Sequence, residues 1–190
     1  MAGNATLRQA ALWFASKGYA TLPLHSLTET GGCTCGDAAC SSPGKHPFAA
    51  LAPHGLKDAT VDLDVIRGWF DAHYWLSFGI TTANMLVIDI DPRNGGDKTW
   101  AAISGQPTRA LPHTWRVHTG GGGEHICFQN TLGIKCGDLD RGMEIKGRGG
   151  YVVGVGCKHI SGRLYTWQPQ CSPKRRPPGR ASGMARQADR

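Results

Sequence analysis

Two carboxylates stand two residues apart at the end of an apolar run in the middle of the chain. In the run Met85–Asp91, Asp89 and Asp91 are separated by one isoleucine, and Pro92 follows at once. Side chains alternate along a strand, so both acids are expected on the same face. Adjacent negative charges repel each other, and a divalent cation between them relieves that repulsion. The pair predicts a metal site, although a polar turn or a nucleotide-sugar glycosyltransferase would use the same two residues.

A glycine-rich turn precedes a histidine at the start of another predicted strand. Four glycines, Gly120 to Gly123, are followed by Glu124 and His125. Consecutive glycines allow positive φ angles and leave backbone N–H groups uncovered, so a phosphate can approach the backbone closely. His125 would then face that phosphate. The alternative is a histidine that is simply packed or solvated in its strand.

An acid and a base alternate on a third predicted strand. Glu144 and Lys146 lie two residues apart, and the glycines Gly149 and Gly150 follow. On a strand the two side chains share a face, where Glu144 could complete a metal site and Lys146 could meet a phosphate. The alternative is an ordinary surface ion pair on a hairpin.

A strand-rich framework must position these three motifs. After a first strand at Tyr19–Leu24, seven further runs are predicted as strands, namely Phe78–Thr81, Met85–Asp91, Thr114–Thr119, His125–Gln129, Gly142–Lys146, Tyr151–Val155 and Leu164–Trp167. Short strands joined mostly as hairpins, with few helices between them, predict an α+β fold with a curved antiparallel or mixed sheet.

Three helices are predicted to flank that sheet, at residues 4–17, 62–72 and 97–103. Asn4 can cap the first helix and Gly18 can end it. The buried side of the second helix is predicted to carry Val65, Ile66, Trp69 and Phe70.

Residues 25–60 lack periodic signal and are dense in Gly, Pro, Cys and His, which predicts an insertion ordered by something other than a core. Three cysteines and a histidine fall within fourteen positions of it, at Cys33, Cys35, Cys40 and His46. Four N and S ligands are what a tetrahedral structural zinc requires. His25 or His54 could replace His46 as the fourth ligand, and free thiols in a flexible loop are the alternative to zinc.

The other cysteines show no comparable clustering. Because a reducing cytoplasm disfavours a disulfide framework, Cys127, Cys136 and Cys157 are predicted to be buried small hydrophobes. The cytoplasmic expectation rests on two absences from the sequence, a run of eighteen apolar residues and a signal peptide.

The basic character of the chain is concentrated at one end. The formal net charge is +7, but six basic residues and one acid between Lys174 and Arg190 carry +5 of it, leaving +2 for residues 1–173. We therefore expect one folded domain over residues 1–170 and a basic, disordered tail over residues 171–190 that contacts nucleic acid.

The three chemical motifs occur in an order that resembles a known family. Val87–Asp91, then Gly122–His125, then Glu144–Tyr151 resemble the three active-site motifs of archaeo-eukaryotic primases, and more narrowly the bifunctional DNA primase/polymerase N-terminal domain. The resemblance extends from about Ala10 to Trp167. It includes Gly44-Lys-His-Pro47, Leu111-Pro-His-Thr114 and Ser161-Gly-Arg-Leu-Tyr-Thr-Trp167.

The resemblance implies roles for individual residues. Asp89 and Asp91 would be metal ligands, His125 would contact the incoming nucleotide, and Glu144 would take the third acidic place. Two departures from the family pattern stand out. The third acid is more often Asp, and the small Pro/Ser segment after the third motif reads Gly154-Val-Gly-Cys-Lys158 here.

The implied activity is metal-dependent, template-directed nucleotidyl transfer in the replication of a plasmid, phage or other mobile element. The implied cofactors are Mg²⁺ or Mn²⁺, and the partners are a single-stranded DNA template, a primer and nucleoside triphosphates. Lys146 and Arg148 are candidates for holding the triphosphate. A helicase would be a separate polypeptide, since the sequence lacks a Gly-x-x-x-x-Gly-Lys-Ser/Thr loop. The alternative is a non-catalytic nucleic-acid-binding module with the same fold.

Overall fold

In a computed structural model, the chain forms a mixed α+β structure that divides into two compact units, Met1–Thr81 with Tyr151–Thr166 and Thr82–Gly150 with Trp167–Arg190. The structure describes residues 2–105, 112–173 and 178–180, and only the backbone of residues 2–5 and 180. Leu111 and most of the predicted basic tail therefore lie outside the described part. Within it, no helix is long and apolar enough to cross a membrane. The first helix begins at Ala2, two residues before its predicted start, so Asn4 lies inside the helix and the prediction that it caps the helix is wrong.

The described elements, in chain order, are α1 (Ala2–Ser16), β1 (Thr21–Leu24), α2 (Leu63–Ala72), β2 (Ser77–Thr81), β3 (Met85–Ile90), α3 (Gly96–Ser104), β4 (Trp115–His118), β5 (Glu124–Gln129), β6 (Gly137–Asp140), β7 (Met143–Lys146), β8 (Tyr151–Val153), β9 (Thr166–Trp167) and β10 (Gly179–Arg180). Short 3₁₀ turns span Gly55–Asp58 and Pro92–Asn94.

The first unit holds a three-stranded antiparallel sheet in the order β1-β2-β8, with α1 and α2. Helix α2 begins at an N-cap, Asp62, whose carboxylate accepts hydrogen bonds from the N–H groups of Asp64 and Val65. Its buried residues are Ile66, Trp69 and Phe70, as predicted. The prediction for Val65 is wrong: the residue is 46% exposed, because the i, i+3, i+4 stripe begins one position later.

The second unit holds the larger sheet, in the order β6-β7-β3-β5-β4-β9, with β10 running parallel to the end of β5. The antiparallel or mixed sheet is therefore confirmed. Two of its strands have no counterpart in the sequence analysis. Strand β6 is polar, and β10 falls within residues assigned to the tail.

The two faces of β3 carry different chemistry. On one face Leu86, Ile88 and Ile90 belong to an apolar core that Trp100 and Ile103 of α3 also contact. The opposite face carries Asp89. Directly opposed residues of antiparallel strands have side chains on the same face, so the neighbours of Asp89 on β5 and β7 share this surface.

The cysteines divide by environment. Cys127 and Cys157 are buried, as predicted. Burial raises the pKa of Cys127 to about 12 and that of Cys157 to about 11, so both are neutral thiols at pH 7. The prediction for Cys136 is wrong: the residue is exposed because it immediately precedes β6, which forms the edge of its sheet.

Candidate active site and metal centre

The central motif residues of three separate segments meet in one row across the larger sheet. Asp89 on β3 lies directly opposite His125 on β5 and directly opposite Glu144 on β7. His125 Nε2 stands 3.6 Å from Asp89 Oδ1. The histidine side chain is 7% exposed and the aspartate 30%, so the carboxylate remains accessible beside a buried ring. The row brings Asp89, His125 and Glu144 together, as the motif order implied.

The row continues onto the strand that the sequence analysis missed. Asp138 on β6 lies directly opposite Glu144, so its side chain shares the face of the other acids. Asp138 is exposed, and the register slips between Asp138 and Asp140. The available signal was the alternation in Gly137-Asp-Leu-Asp140, which places Leu139 against the core.

Asp91 lies one residue past the end of β3. Its backbone stays extended at φ −107° and ψ 106°, and it caps the 3₁₀ turn Pro92–Asn94. Its carboxylate accepts hydrogen bonds from Arg93 Nε at 3.0 Å, Arg93 Nη2 at 2.7 Å and Asn94 Nδ2 at 3.2 Å. Asp91 is therefore two residues from Asp89 in the chain, but its carboxylate is held by hydrogen bonds from Arg93 and Asn94.

The glycine-rich turn closes the hairpin between β4 and β5. Gly122 has φ +91°, and a side chain on Gly123 would collide with the carbonyl oxygen of Ile90. The N–H groups of Gly122 and Gly123 donate to the carbonyl and hydroxyl oxygens of Thr119. The expectation that they stand uncovered for a phosphate is wrong, because the tight turn uses them. These two glycines instead allow the turn to pack against the end of β3.

Glu144 and Lys146 form an ion pair through Oε2 and Nζ on the accessible face of β7. Burial of Lys146 works to lower its pKa, but the hydrogen bond and charge of Glu144, together with the charge of Asp89, raise that pKa above its usual value. Lys146 is therefore a permanent cation next to the acidic row. Arg148 lies farther along, where its guanidinium is beside Gly133 and its N–H donates to Ile134 at 2.7 Å.

The four predicted zinc ligands of the 25–60 insertion converge in the first unit. The ligand atoms of Cys33, Cys35, Cys40 and His46 all lie within 4.8 Å of one another. His46 Nε2 is 3.4 Å from Cys33 Sγ and 3.5 Å from Cys40 Sγ. Tetrahedral zinc, with Zn–S bonds of about 2.3 Å and Zn–N bonds of about 2.0 Å, requires S to N separations of about 3.5 Å. The group fits a tetrahedral metal ion such as zinc.

Of the three histidines that the sequence left open as the fourth ligand, His46 is the one that lies with the three cysteines. His25 instead packs its ring on that of His46, with the centroids 4.5 Å apart, and places Nδ1 3.0 Å from Thr34 Oγ1. His54 pairs with Asp58 at 3.1 Å. These contacts make His25 a neighbour of the metal group and leave His54 outside it.

Hydrogen bonds favour the thiolate form of Cys33. Its burial works to raise the pKa, but hydrogen bonds from the N–H groups of Cys35 and Gly44 and from the Cys35 and His46 side chains lower the pKa to about 7. The thiolate is the form that binds zinc. The backbone of the Cys33–His46 loop therefore favours the ligand state of its most buried cysteine.

A comparison with known protein families decides the family. The model of the Prim-Pol family, described as the bifunctional DNA primase/polymerase N-terminal domain, matches residues 11–181. The chain belongs to this family. No individual curated protein matches the chain. The Prim-Pol domain is of the primase/polymerase type, which implies DNA and nucleotides as its substrates.

The acids of this Prim-Pol domain offer the oxygen ligands that Mg²⁺ and Mn²⁺ prefer. Among the described residues, the Cys/His group is the only one in which three or more His, Cys, Asp or Glu side chains are placed to hold a metal ion together. Asp89, Asp91 and Glu144 do not form such a group. The oxygen atoms of these acids suit a divalent cation. Asp91 and Glu144 each form an ion pair with a residue two positions later in the chain, Arg93 and Lys146.

Proposed function

We propose that this Prim-Pol domain catalyses metal-dependent, template-directed nucleotidyl transfer at the row of Asp89, His125 and Glu144. The observation that carries the proposal is the direct cross-strand opposition of these three residues on neighbouring strands. A strand pair fixes such neighbours to about 5 Å between Cβ atoms, so their side chains can act on one substrate.

Asp89, Asp91 and Glu144 would hold the divalent cations. When bound, Mg²⁺ or Mn²⁺ activates the attacking 3′-hydroxyl and neutralises charge on the triphosphate. The carboxylates of Asp89 and Glu144 are 30% and 53% exposed, which leaves oxygen lone pairs available on the open face of the sheet. This exposure is consistent with carboxylates that share a cation with substrate oxygens and water.

His125 and Lys146 would contact the nucleotide. The buried ring of His125 is held beside Asp89, so its orientation is fixed before a nucleotide arrives. Lys146 stays protonated next to the row of acids. It would bind the triphosphate when the Glu144 carboxylate leaves the ion pair to bind a divalent cation. Arg148, two residues past the end of β7 and beside Gly133, would contact phosphate there.

The Cys33–His46 group would hold one structural Zn²⁺. Four ligands close the coordination sphere and leave no position for a substrate, as in structural rather than catalytic zinc sites. We place the biological role of the domain in replication of a plasmid, phage or other mobile element. A separate helicase would open the duplex.

The Glu144 series is expected to separate the charge of the third acid from its length. Glu144→Ala should lower the rate of nucleotide addition about 100-fold, because one cation ligand is lost and Lys146 loses its ion-pair partner. Glu144→Asp should stay within about tenfold of the wild type, since the carboxylate remains on the same face. Single-turnover primer extension with Mg²⁺ or Mn²⁺ measures both, and Glu29→Ala, an exposed acid of the first unit, is the matched control.

The function itself is tested by incubating the protein with single-stranded DNA and labelled nucleotides. Labelled products should form with Mg²⁺ or Mn²⁺ and should disappear on chelation. Binding of DNA without synthesis under both metals would favour the non-catalytic alternative.

A further inference from the structure

Arg93 forms a bidentate ion pair with Asp91 through one edge of its guanidinium. Nε donates to Oδ1 at 3.0 Å and Nη2 donates to Oδ2 at 2.7 Å, so each carboxylate oxygen accepts one arm of the fork. This bidentate arrangement is the strongest geometry that an arginine and a carboxylate can adopt. It also uses both oxygens from which a divalent cation would draw its ligands.

A second set of contacts holds the carboxylate independently of the guanidinium. The backbone N–H of Arg93 donates to Oδ1 at 3.0 Å, and the Asn94 amide donates to Oδ2 at 3.2 Å. The Asp91 N–H is itself fixed on the carbonyl oxygen of Gly142 at 2.8 Å. Removal of the guanidinium would therefore leave Asp91 in the same place and orientation.

The two partners differ in exposure. The side chain of Arg93 is 67% exposed, whereas that of Asp91 is 27% exposed. The arginine can therefore leave toward solvent while the aspartate stays. Solvent and salt screen the attraction of a guanidinium this exposed, even in the bidentate geometry, so a doubly charged cation can compete with it for the carboxylate.

We propose that Arg93 is an exchangeable counter-ion of Asp91, which competes with the divalent cation for the carboxylate and so sets the cation affinity of the site. Arg93 is thus a positioning residue that acts through Asp91. The inference rests on the proposed function in taking Asp91 as a cation ligand. Its consequence is that the Asp91 carboxylate stays neutralised until a cation arrives.

The test is the affinity of the whole chain for Mn²⁺ alone, measured by electron paramagnetic resonance of the free ion. Arg93→Gln should bind Mn²⁺ about three- to fivefold more tightly than the wild type, the range expected for loss of one well-formed exposed ion pair. Arg93→Lys should fall between them, because lysine keeps the charge but not the fork.

A matched control removes the same charge elsewhere. Arg67 of α2 forms a comparable exposed pair with Asp64 in the first unit. Arg67→Gln should leave the Mn²⁺ affinity unchanged. In an Asp91→Asn background, Arg93→Gln should no longer tighten binding, because the two substitutions act on one contact.

Three results would overturn the inference: unchanged or weaker Mn²⁺ binding by Arg93→Gln, equal tightening by Arg67→Gln, or no Mn²⁺ binding by wild type and Arg93→Gln alike. The proposed function fails differently. If Arg93→Gln binds Mn²⁺ more tightly but the wild-type chain synthesises no DNA, Arg93 competes with the cation as proposed and the polymerase assignment is wrong. If the wild type synthesises DNA and Arg93→Gln leaves the affinity unchanged, only the competition falls.

Discussion

Asp89→Asn is expected to reduce nucleotide addition about 1000-fold, which corresponds to about 4 kcal/mol of transition-state stabilisation. Asp89 occupies the middle of the row, opposite both His125 and Glu144, so in the proposed function its carboxylate would hold the cation and orient the ring. Asparagine keeps the size of the side chain but loses the charge that a divalent ligand needs. The measurement is kcat/KM for addition of one nucleotide to a primed template.

The control for this substitution is Asp64→Asn, at an exposed acid of α2 whose only assigned role is its ion pair with Arg67. It should leave kcat/KM within about twofold of the wild type, since exposed ion pairs contribute little. Circular dichroism should show that both variants fold. A folded Asp89→Asn protein that keeps more than a tenth of the wild-type kcat/KM would remove Asp89 from the active site.

The second large effect is expected at the Cys/His group. Cys40→Ser should lower the bound zinc from one ion per chain to well below one, and should lower the Tm by about 5–10 °C. The free energy of zinc binding compensates for ordering a loop with little core of its own, so losing a ligand removes a few kcal/mol. Elemental analysis gives the zinc content and thermal unfolding gives the Tm.

Cys136→Ser is the matched control, because Cys136 is an exposed thiol outside the group. It should retain one zinc and the wild-type Tm within about 2 °C, as expected for a surface substitution. Equal zinc content in Cys40→Ser and the wild type would contradict the assignment of Cys40. A wild-type chain without zinc would leave the group as free thiols.

Much of the framework follows from local patterns. The apolar run Met85–Ile90 and the apolar stripe of Ile66, Trp69 and Phe70 are strong signals, and β3 and α2 form where the sequence predicts them. Strand β6 escapes prediction because Gly137-Asp-Leu-Asp140 is polar and short, and only its pairing with β7 makes it a strand. An edge strand with one neighbour needs little hydrophobicity of its own.

The candidate site is predicted in part. The order of three motifs indicates which residues belong together, and cross-strand pairing explains why Asp89, His125 and Glu144 meet. The ion-pair partners of Asp91 and Glu144 depend on side-chain geometry that the spacing of residues in the sequence does not specify. Asp91 turns to Arg93 because the strand ends at Ile90 and a 3₁₀ turn follows.

The Cys/His group is also predicted only in part. Four closely spaced cysteine and histidine ligands predict zinc from the sequence alone, but three histidines were candidates for the fourth ligand. His46 is the histidine placed to serve as that ligand, because the loop brings Nε2 to within 3.5 Å of two sulfur atoms, while the ring of His25 packs against that of His46. That choice is made by tertiary packing, which a spacing pattern does not contain.

The most direct test of the central claim is addition of single nucleotides by the wild-type chain to a primer on four templates that differ in the next base. With Mg²⁺ or Mn²⁺ present, each template should direct addition of its complementary nucleotide, and chelation should stop all four reactions. Addition that ignores the template base, or no addition with either metal while DNA is bound, would contradict template-directed nucleotidyl transfer at Asp89, His125 and Glu144.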